Sequence, residues 1–290
     1  MKRWRNLRPG SGDLAVADPE RSSLRGELKA RIVAGVFLAA ITIGAVLVGG
    51  FAFSAWVAIG AALVFSEWAD MTGLSEREPM VKALALAVLA VTLALGATGF
   101  FMLGVILSGL GASLLSLPYT RAPALMHRWV GAGLIYAALP ALALIWLRDG
   151  EGGMARVLWL LAVVWSTDIG GYVFGRWLGG PKMAPRLSPN KTWAGFVGSM
   201  VFALAAGACT RFSDAQGYIP PLIAAVALAV VAVMGDLGES ALKRGFGVKN
   251  SGSIIPGHGG VMDRVDGLLV AAPVFALALQ IESWLMRVNG

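Results

Sequence analysis

Apolar runs of about 20 residues recur along this chain, and a water-soluble fold has no room for so many of them. A helix needs about that length to cross the roughly 30 Å hydrocarbon core of a bilayer, where backbone groups find no water and must bond within their own segment. Nine such runs are read at approximately 30 to 49, 52 to 70, 80 to 97, 99 to 117, 129 to 147, 155 to 175, 192 to 210, 219 to 238 and 267 to 287. Soft boundaries at Gly49-Gly50 and at Gly96 to Gly99 leave eight or ten helices open. Composition agrees, since 57% of the 290 residues are hydrophobic and only 14% are charged, outside the range of soluble globular domains. The expected fold is all-α: a polytopic integral membrane protein with about nine transmembrane helices.

Orientation follows from the basic residues, which accumulate in cytoplasmic loops. With the N-terminus inside and nine spans, 20 of the 24 Lys and Arg fall on the cytoplasmic side, leaving Arg148, Arg156, Arg211 and Arg287 outside. The N-terminus is therefore expected in the cytoplasm. Residues 1–29 read as a basic tail, loose before Ser22, and 30–290 as a single transmembrane catalytic domain. The first apolar run is too long for a cleaved signal and reads as a retained helix. A net charge of +7 suggests nucleic acid, but the basic residues form no stripe with interleaved aromatics, which excludes that partner. The lone Cys209 forms no internal disulfide, and His127 and His258 have no zinc-ligand spacing, so thiol and zinc chemistry are excluded. His127 reads as interfacial, and Trp129, Trp193 and Trp284 as part of an interfacial aromatic belt.

Charge is otherwise concentrated between Gly235 and Gly267. Asp236, Glu239, Ser240 and Lys243 are spaced to share one side of a helix. Gly257, Gly259 and Gly260 surround His258 in a tight turn, after which Asp263 and Asp266 again share a helical face. Such acids suit Mg²⁺, which takes one or two carboxylates plus phosphate oxygens and water; the alternative is interfacial salt bridges with Lys243, Arg244 and Arg264. Upstream, Asp168 lies within the sixth apolar run, where a carboxylate costs roughly 2.5 to 3.5 kcal/mol. It either bonds a neighbouring helix or serves a ligand. The loop from Gly179 to Thr192 carries Lys182, Arg186 and Lys191, which suit polyphosphate or simply anchor the loop at the membrane surface. Ser188 or Asn190 is expected to cap the helix that follows, whose N–H groups favour anions.

Ser240, Leu242, Lys243, Arg244, Lys249, Pro256, His258, Gly259, Gly260, Asp263, Arg264 and Asp266 closely resemble the signature of the phosphatidate cytidylyltransferases, or CDP-diacylglycerol synthases. The likeness extends through Gly235-Asp236-Leu237, Asp168 with Gly170 and Tyr172, Leu187-Ser188-Pro189 and Lys191-Thr192-Trp193, covering about 165 to 270. It departs at Asn250, where the family places Asp, and at Gly238 and Gly171, which read as packing variation. The resemblance implies conversion of CTP and phosphatidic acid to CDP-diacylglycerol and pyrophosphate. It further implies an Mg²⁺-dependent nucleotidyltransferase with a possible K⁺ ion, a homodimer, and residence in the inner (plasma) membrane with the active site facing the cytoplasm. On that reading Asp236 and Asp263 bind metal, while Asp168 and Asp266 support metal or substrate. Lys243 joins the catalytic group, and Lys182, Ser188, Lys191, Thr192, Arg244, Lys249, His258 and Arg264 bind substrate. His258 is read as a phosphate or carboxylate partner rather than a general base, because a phosphomonoester is already nucleophilic.

Two other classes are weighed. A CDP-alcohol phosphotransferase shares the opening of Asp263, Asp266 and Gly267, but this chain has no Asp after Asp266. A CTP-using lipid kinase is closer chemically. A cation-coupled transporter would spread acids over several core helices, whereas the first five runs hold only Glu67 and Asp70, near one end.

Overall fold

The computed structural model describes residues 19–118, 124–209, 220–252, 254 and 259–289. Ten helices and one hairpin follow in the order α1 (Pro19–Val48), α2 (Gly50–Met71), α3 (Leu74–Arg77), α4 (Pro79–Ala97), α5 (Phe101–Leu115), α6 (Ala124–Asp149), α7 (Gly153–Trp177), β1 (Lys182–Ala184), β2 (Ser188–Thr192), α8 (Trp193–Cys209), α9 (Pro221–Gly245) and α10 (Met262–Asn289). All nine apolar runs fall on helices. Among the described residues six helices are long and apolar enough to cross a membrane, namely α2, α4, α6, α7, α9 and α10. Three shorter apolar helices, Val33–Val48, Phe101–Leu115 and Trp193–Ala208, account for the other runs. The chain has the makeup of a polytopic helical membrane protein.

Large apolar side chains such as Phe37, Leu84, Ile106, Val197 and Leu277 face outward, which is the surface a bilayer solvates rather than a soluble core turned inside out. The interior is built around α6, whose Leu134, Ala138 and Leu147 are fully buried and which packs against α2, α4, α5, α7 and α10. Alanine and glycine dominate the close helix contacts, because helices in lipid approach through small residues and van der Waals packing. The extreme case is α7 against α8. A Cβ added to Gly170 would strike the Gly198 carbonyl, one added to Gly198 would strike Phe174, and one added to Gly171 would lie 2.8 Å from Ser199 Oγ.

Three expectations change. The loop after the sixth apolar run is an antiparallel hairpin, pairing Lys182 with Thr192 and Ala184 with Ser188, so the fold is not purely α. Gly179 and Gly180 enter it with φ of 62° and 92°, a backbone that only glycine adopts freely, and Pro181, Pro185 and Pro189 deny a helix there. Second, α1 begins at Pro19, well inside the stretch expected as a tail, with proline at a position whose N–H would have no intrahelical partner anyway; residues 1–18 lie outside the described residues. Third, His127 is fully buried rather than interfacial: it stands on α6, the helix packed against five others at the centre of the bundle. Of the expected aromatic belt, Trp193 and Trp284 are exposed, but Trp129 packs inward. Its carbonyl accepts from Trp68 Nε1 at 2.8 Å and its ring meets Phe246 edge-on at 5.0 Å.

Candidate active site

Where α7, the hairpin, α8, α9 and α10 converge, they enclose a cleft of about 450 Å³. Its wall gathers most of the residues that the sequence nominated: Asp168, Ser188, Lys191, Thr192, Asp236, Asp263, Arg264 and Asp266. Thr167, Tyr172, Asn190 and Ser199 complete the polar lining, and these were not nominated. Thr167 and Ser199 are tied together, Ser199 Oγ donating to the Thr167 carbonyl at 2.8 Å.

Each wall has its own local cause. The glycine contacts between α7 and α8 let the two backbones touch, which sets Asp168 near the level of Ser199 in the second turn of α8 and Gly175 against the first turn. That first turn is capped by Thr192, whose Oγ1 accepts from the Gly195 N–H at 3.1 Å; the cap is thus neither Ser188 nor Asn190, because those side chains lie further back in β2. Lys191 precedes the cap and forms an ion pair with Asp236 of α9. Gly235 in turn brings α9 against α10: a Cβ there would lie 2.8 Å from Val270 Cγ2 and 3.0 Å from the Asp266 carbonyl. Asp236 and Asp266 therefore face the same space.

Asp263 is held far more tightly than Asp236. Its Oδ1 accepts from Lys243 Nζ at 2.5 Å, and its Oδ2 accepts from the backbone N–H of Gly260 at 2.9 Å and of Ser251 at 3.1 Å. Lys243 also donates to Glu239 Oε1 at 2.8 Å, one turn earlier on α9. Gly259 adopts φ of 84°, and a Cβ there would lie 2.6 Å from Asp263 Oδ2. Asp263 and this turn need glycine at that position.

One organising residue lies far from the signature. Glu67, in α2 and 1% exposed, accepts from Ser251 Oγ at 2.7 Å, the Val261 N–H at 2.7 Å and the Met262 N–H at 2.9 Å. A carboxylate from the second helix thus caps the last one, offsetting the orphan donors and positive dipole of its N-terminus. Ser251 is shared: its hydroxyl bonds Glu67 while its N–H bonds Asp263. In the sequence Glu67 is one of two acids near the end of an apolar run, and only its burial sets it apart from the exposed Asp70.

Other nominated residues stand elsewhere. Lys243 lies behind Asp263 rather than on the cleft wall. Lys182, Arg244 and Lys249 are exposed and do not line the cleft, and Arg244 Nη1 donates to the Val248 carbonyl at 3.4 Å. His258 lies outside the described residues. Asn250 is exposed, off the cleft wall, and its Cβ lies 3.7 Å from where a Gly259 Cβ would be. Gly238 faces open space with nothing within 4 Å, so the bulkier residue usual there would also fit.

Among the described residues no cluster of three or more His, Cys, Asp or Glu is arranged to hold a metal ion alone. Mg²⁺ uses one or two carboxylates and takes its other ligands from water and phosphate. Asp236 and Asp263 both face the cleft, offer only hard oxygen donors, and here are charge-balanced by Lys191 and Lys243. They fit the ion.

Helices fit to span a bilayer, with four aspartates and two cations around a cleft at their ends, define a membrane protein equipped to bind phosphate-bearing ligands. The chain belongs to the cytidylyltransferase family, whose model matches residues 29–282. It is 40% identical over 258 residues to a phosphatidate cytidylyltransferase of Brucella suis, covering 86% of this chain and 92% of that one. A protein of the same name from Pseudomonas aeruginosa is 33% identical over 267 residues, covering 89% and 98%. One from Bacillus subtilis is 44% identical over 131 residues, covering 44% and 49%.

Proposed function

We propose that this protein is a CTP:phosphatidate cytidylyltransferase of phospholipid biosynthesis, making CDP-diacylglycerol and pyrophosphate from CTP and phosphatidic acid. The observation that carries the reading is the convergence of Asp168, Asp236, Asp263 and Asp266 with Lys191 and Arg264 on one cleft among membrane helices. Two phosphate-bearing substrates, one of them a lipid, need such a set. The name borne by the Brucella and Pseudomonas relatives supports the choice of substrates.

In this reading a phosphatidate oxygen attacks the α-phosphorus of CTP, the bond to the β-phosphate breaks, and pyrophosphate leaves. No covalent enzyme intermediate is required, because the phosphomonoester is already a nucleophile and positioning supplies much of the acceleration. Lys191 and Arg264 offset charge on the phosphate oxygens, and the positive end of the α8 dipole faces the same space. Ser188 and Thr192 orient substrate, and Lys243 holds Asp263 in place. Lys182, Arg244 and Lys249 attract substrate from outside the wall, and His258 binds a substrate phosphate. Asp236 and Asp263 would hold Mg²⁺, Asp168 and Asp266 would support metal or substrate from the same wall, and a K⁺ ion would accompany it. When bound, the Mg²⁺ ion neutralises phosphate charge and favours the leaving pyrophosphate. The proposal includes a single membrane domain of nine spans from residue 30 onward, a cytoplasmic N-terminus, a cytoplasm-facing site in a bacterial inner membrane, and a homodimer.

The test incubates purified membranes with labelled CTP, phosphatidate and Mg²⁺ and measures CDP-lipid together with pyrophosphate. Absence of product from wild type, or full activity in both Asp236→Ala and Asp263→Ala, overturns the reading.

A further inference from the structure

A second cavity, of about 350 Å³, lies between α1, α2, α6, α7 and the start of α10. Its wall is almost wholly apolar. The hydroxyl of Thr42 donates to the Leu38 carbonyl at 2.8 Å and accepts from Trp56 Nε1 at 3.2 Å, so these polar groups satisfy one another. Arg264 is the one charged residue of this lining, and it also lines the carboxylate cleft. On α2 the lining runs from Phe53 to Val64, a rise of about 16 Å at 1.5 Å per residue. The Val64 end is the Arg264 end, because Glu67, one turn further on, bonds Val261 and Met262. The cavity is therefore a slot along the helix axes, apolar but for the mutually bonded Thr42 and Trp56, with a cation at the end that meets the cleft.

Resting on the function proposed above, we propose that this slot holds an acyl chain of the lipid substrate, with Arg264 binding the lipid phosphate at its mouth. The shape and charge match a phosphomonoester lipid: an apolar tail along the slot, a dianionic head on the arginine, and the acceptor oxygen turned toward the cleft. Lipid tails are as apolar as the bilayer they leave, so the slot adds little affinity. It contributes orientation and selection among chains, while the phosphate–arginine contact contributes the attraction.

Gly60 lines the slot, and a Cβ added there meets nothing within 4 Å. Gly60→Leu thus fills the slot without moving backbone. Gly109→Leu on α5, equally unobstructed and away from the slot, is the control. Catalytic efficiency is measured with dibutyryl and dipalmitoyl phosphatidate. The expected result is that Gly60→Leu shifts the short-to-long ratio of kcat/KM about tenfold toward the short chain, while Gly109→Leu leaves the ratio unchanged. A second readout needs no turnover: in the absence of CTP, a phosphatidate with a photoreactive acyl chain should label α2, α6 or α7 in wild type and less so in Gly60→Leu. An unchanged ratio with unchanged labelling overturns the slot. So does a change of oligomeric state in Gly60→Leu without a change in ratio, which would make the groove a protein interface. Labelling in a wild type that makes no CDP-lipid would retain the slot and sink the function instead.

Discussion

The two sides of the cleft are held in opposite ways. On the α7–α8 side the walls meet through what is missing: Gly170, Gly171, Gly195 and Gly198 carry no side chain, so backbone lies on backbone. On the side of the turn before α10 the structure depends on what is present, since Asp263 and Glu67 each gather backbone N–H groups and a polar side chain. In a membrane both devices address the same constraint, which is that close packing and satisfied polar groups replace the hydrophobic effect as the source of order. The first side should fail when atoms are added, the second when charge is removed.

The sharpest test contrasts two aspartates. Asp236→Ala should lower kcat about 10²- to 10³-fold, the scale of losing a charge-organising group. It should lower the melting temperature in detergent less than Asp263→Ala does: Asp236 itself is 33% exposed, while the Lys191 Nζ it leaves behind is buried, so a cost of about 1 to 3 kcal/mol is expected. Asp263→Ala should lose activity on the same scale and also destabilise by about 3 to 5 kcal/mol, since it leaves Lys243 beside Glu239 without its second partner in a site where Asp263 is only 8% exposed. Equal melting temperatures for the two variants would erase the distinction between a ligand-facing acid and a scaffold-bound one.

Next in size is Glu67→Gln, which keeps the shape but turns one acceptor into a donor facing a backbone N–H. A cost of about 1 to 3 kcal/mol is expected. The informative readout is kinetic: if Glu67 only stabilised the bundle, kcat at low temperature would be untouched, whereas a displaced Asp263 should lower kcat with little change in the KM for CTP. Gly198→Ala should cost about 1 to 3 kcal/mol by overpacking α7 against α8. Gly238→Ala, facing open space on α9, should fall within about 0.5 kcal/mol of wild type by thermal melting. Asn250→Asp should change activity or apparent Mg²⁺ affinity less than tenfold, or about 1.4 kcal/mol, because residue 250 is exposed and off the cleft wall. A larger gain would mean that this position acts directly in catalysis.

The helices were legible because each apolar run has one explanation in a bilayer, and the spacing of Asp263 and Asp266 needed only a helix to align them. The acids and Lys191 were legible because charge is costly in an oily chain. The hairpin was missed: its polar, proline-rich stretch carries no alternating apolar pattern, and three prolines in such a segment read equally well as loop. Thr192, the actual cap of α8, was passed over for Ser188 and Asn190 because cap choice depends on where the helix starts, within one or two residues.

What the sequence determined by itself was a membrane-spanning, mostly helical chain with its acids in two C-terminal clusters, since hydropathy and charge are local properties that folding does not alter. Tertiary structure alone decided which charges meet. Lys191 in the hairpin reaches Asp236 on α9, Lys243 lies off the cleft wall and binds Asp263, and Glu67 arrives 195 residues from Met262 to cap α10. Those pairings depend on how closely glycines let helices approach and on which backbone donors a turn leaves unmet, and neither quantity exists until the chain has folded.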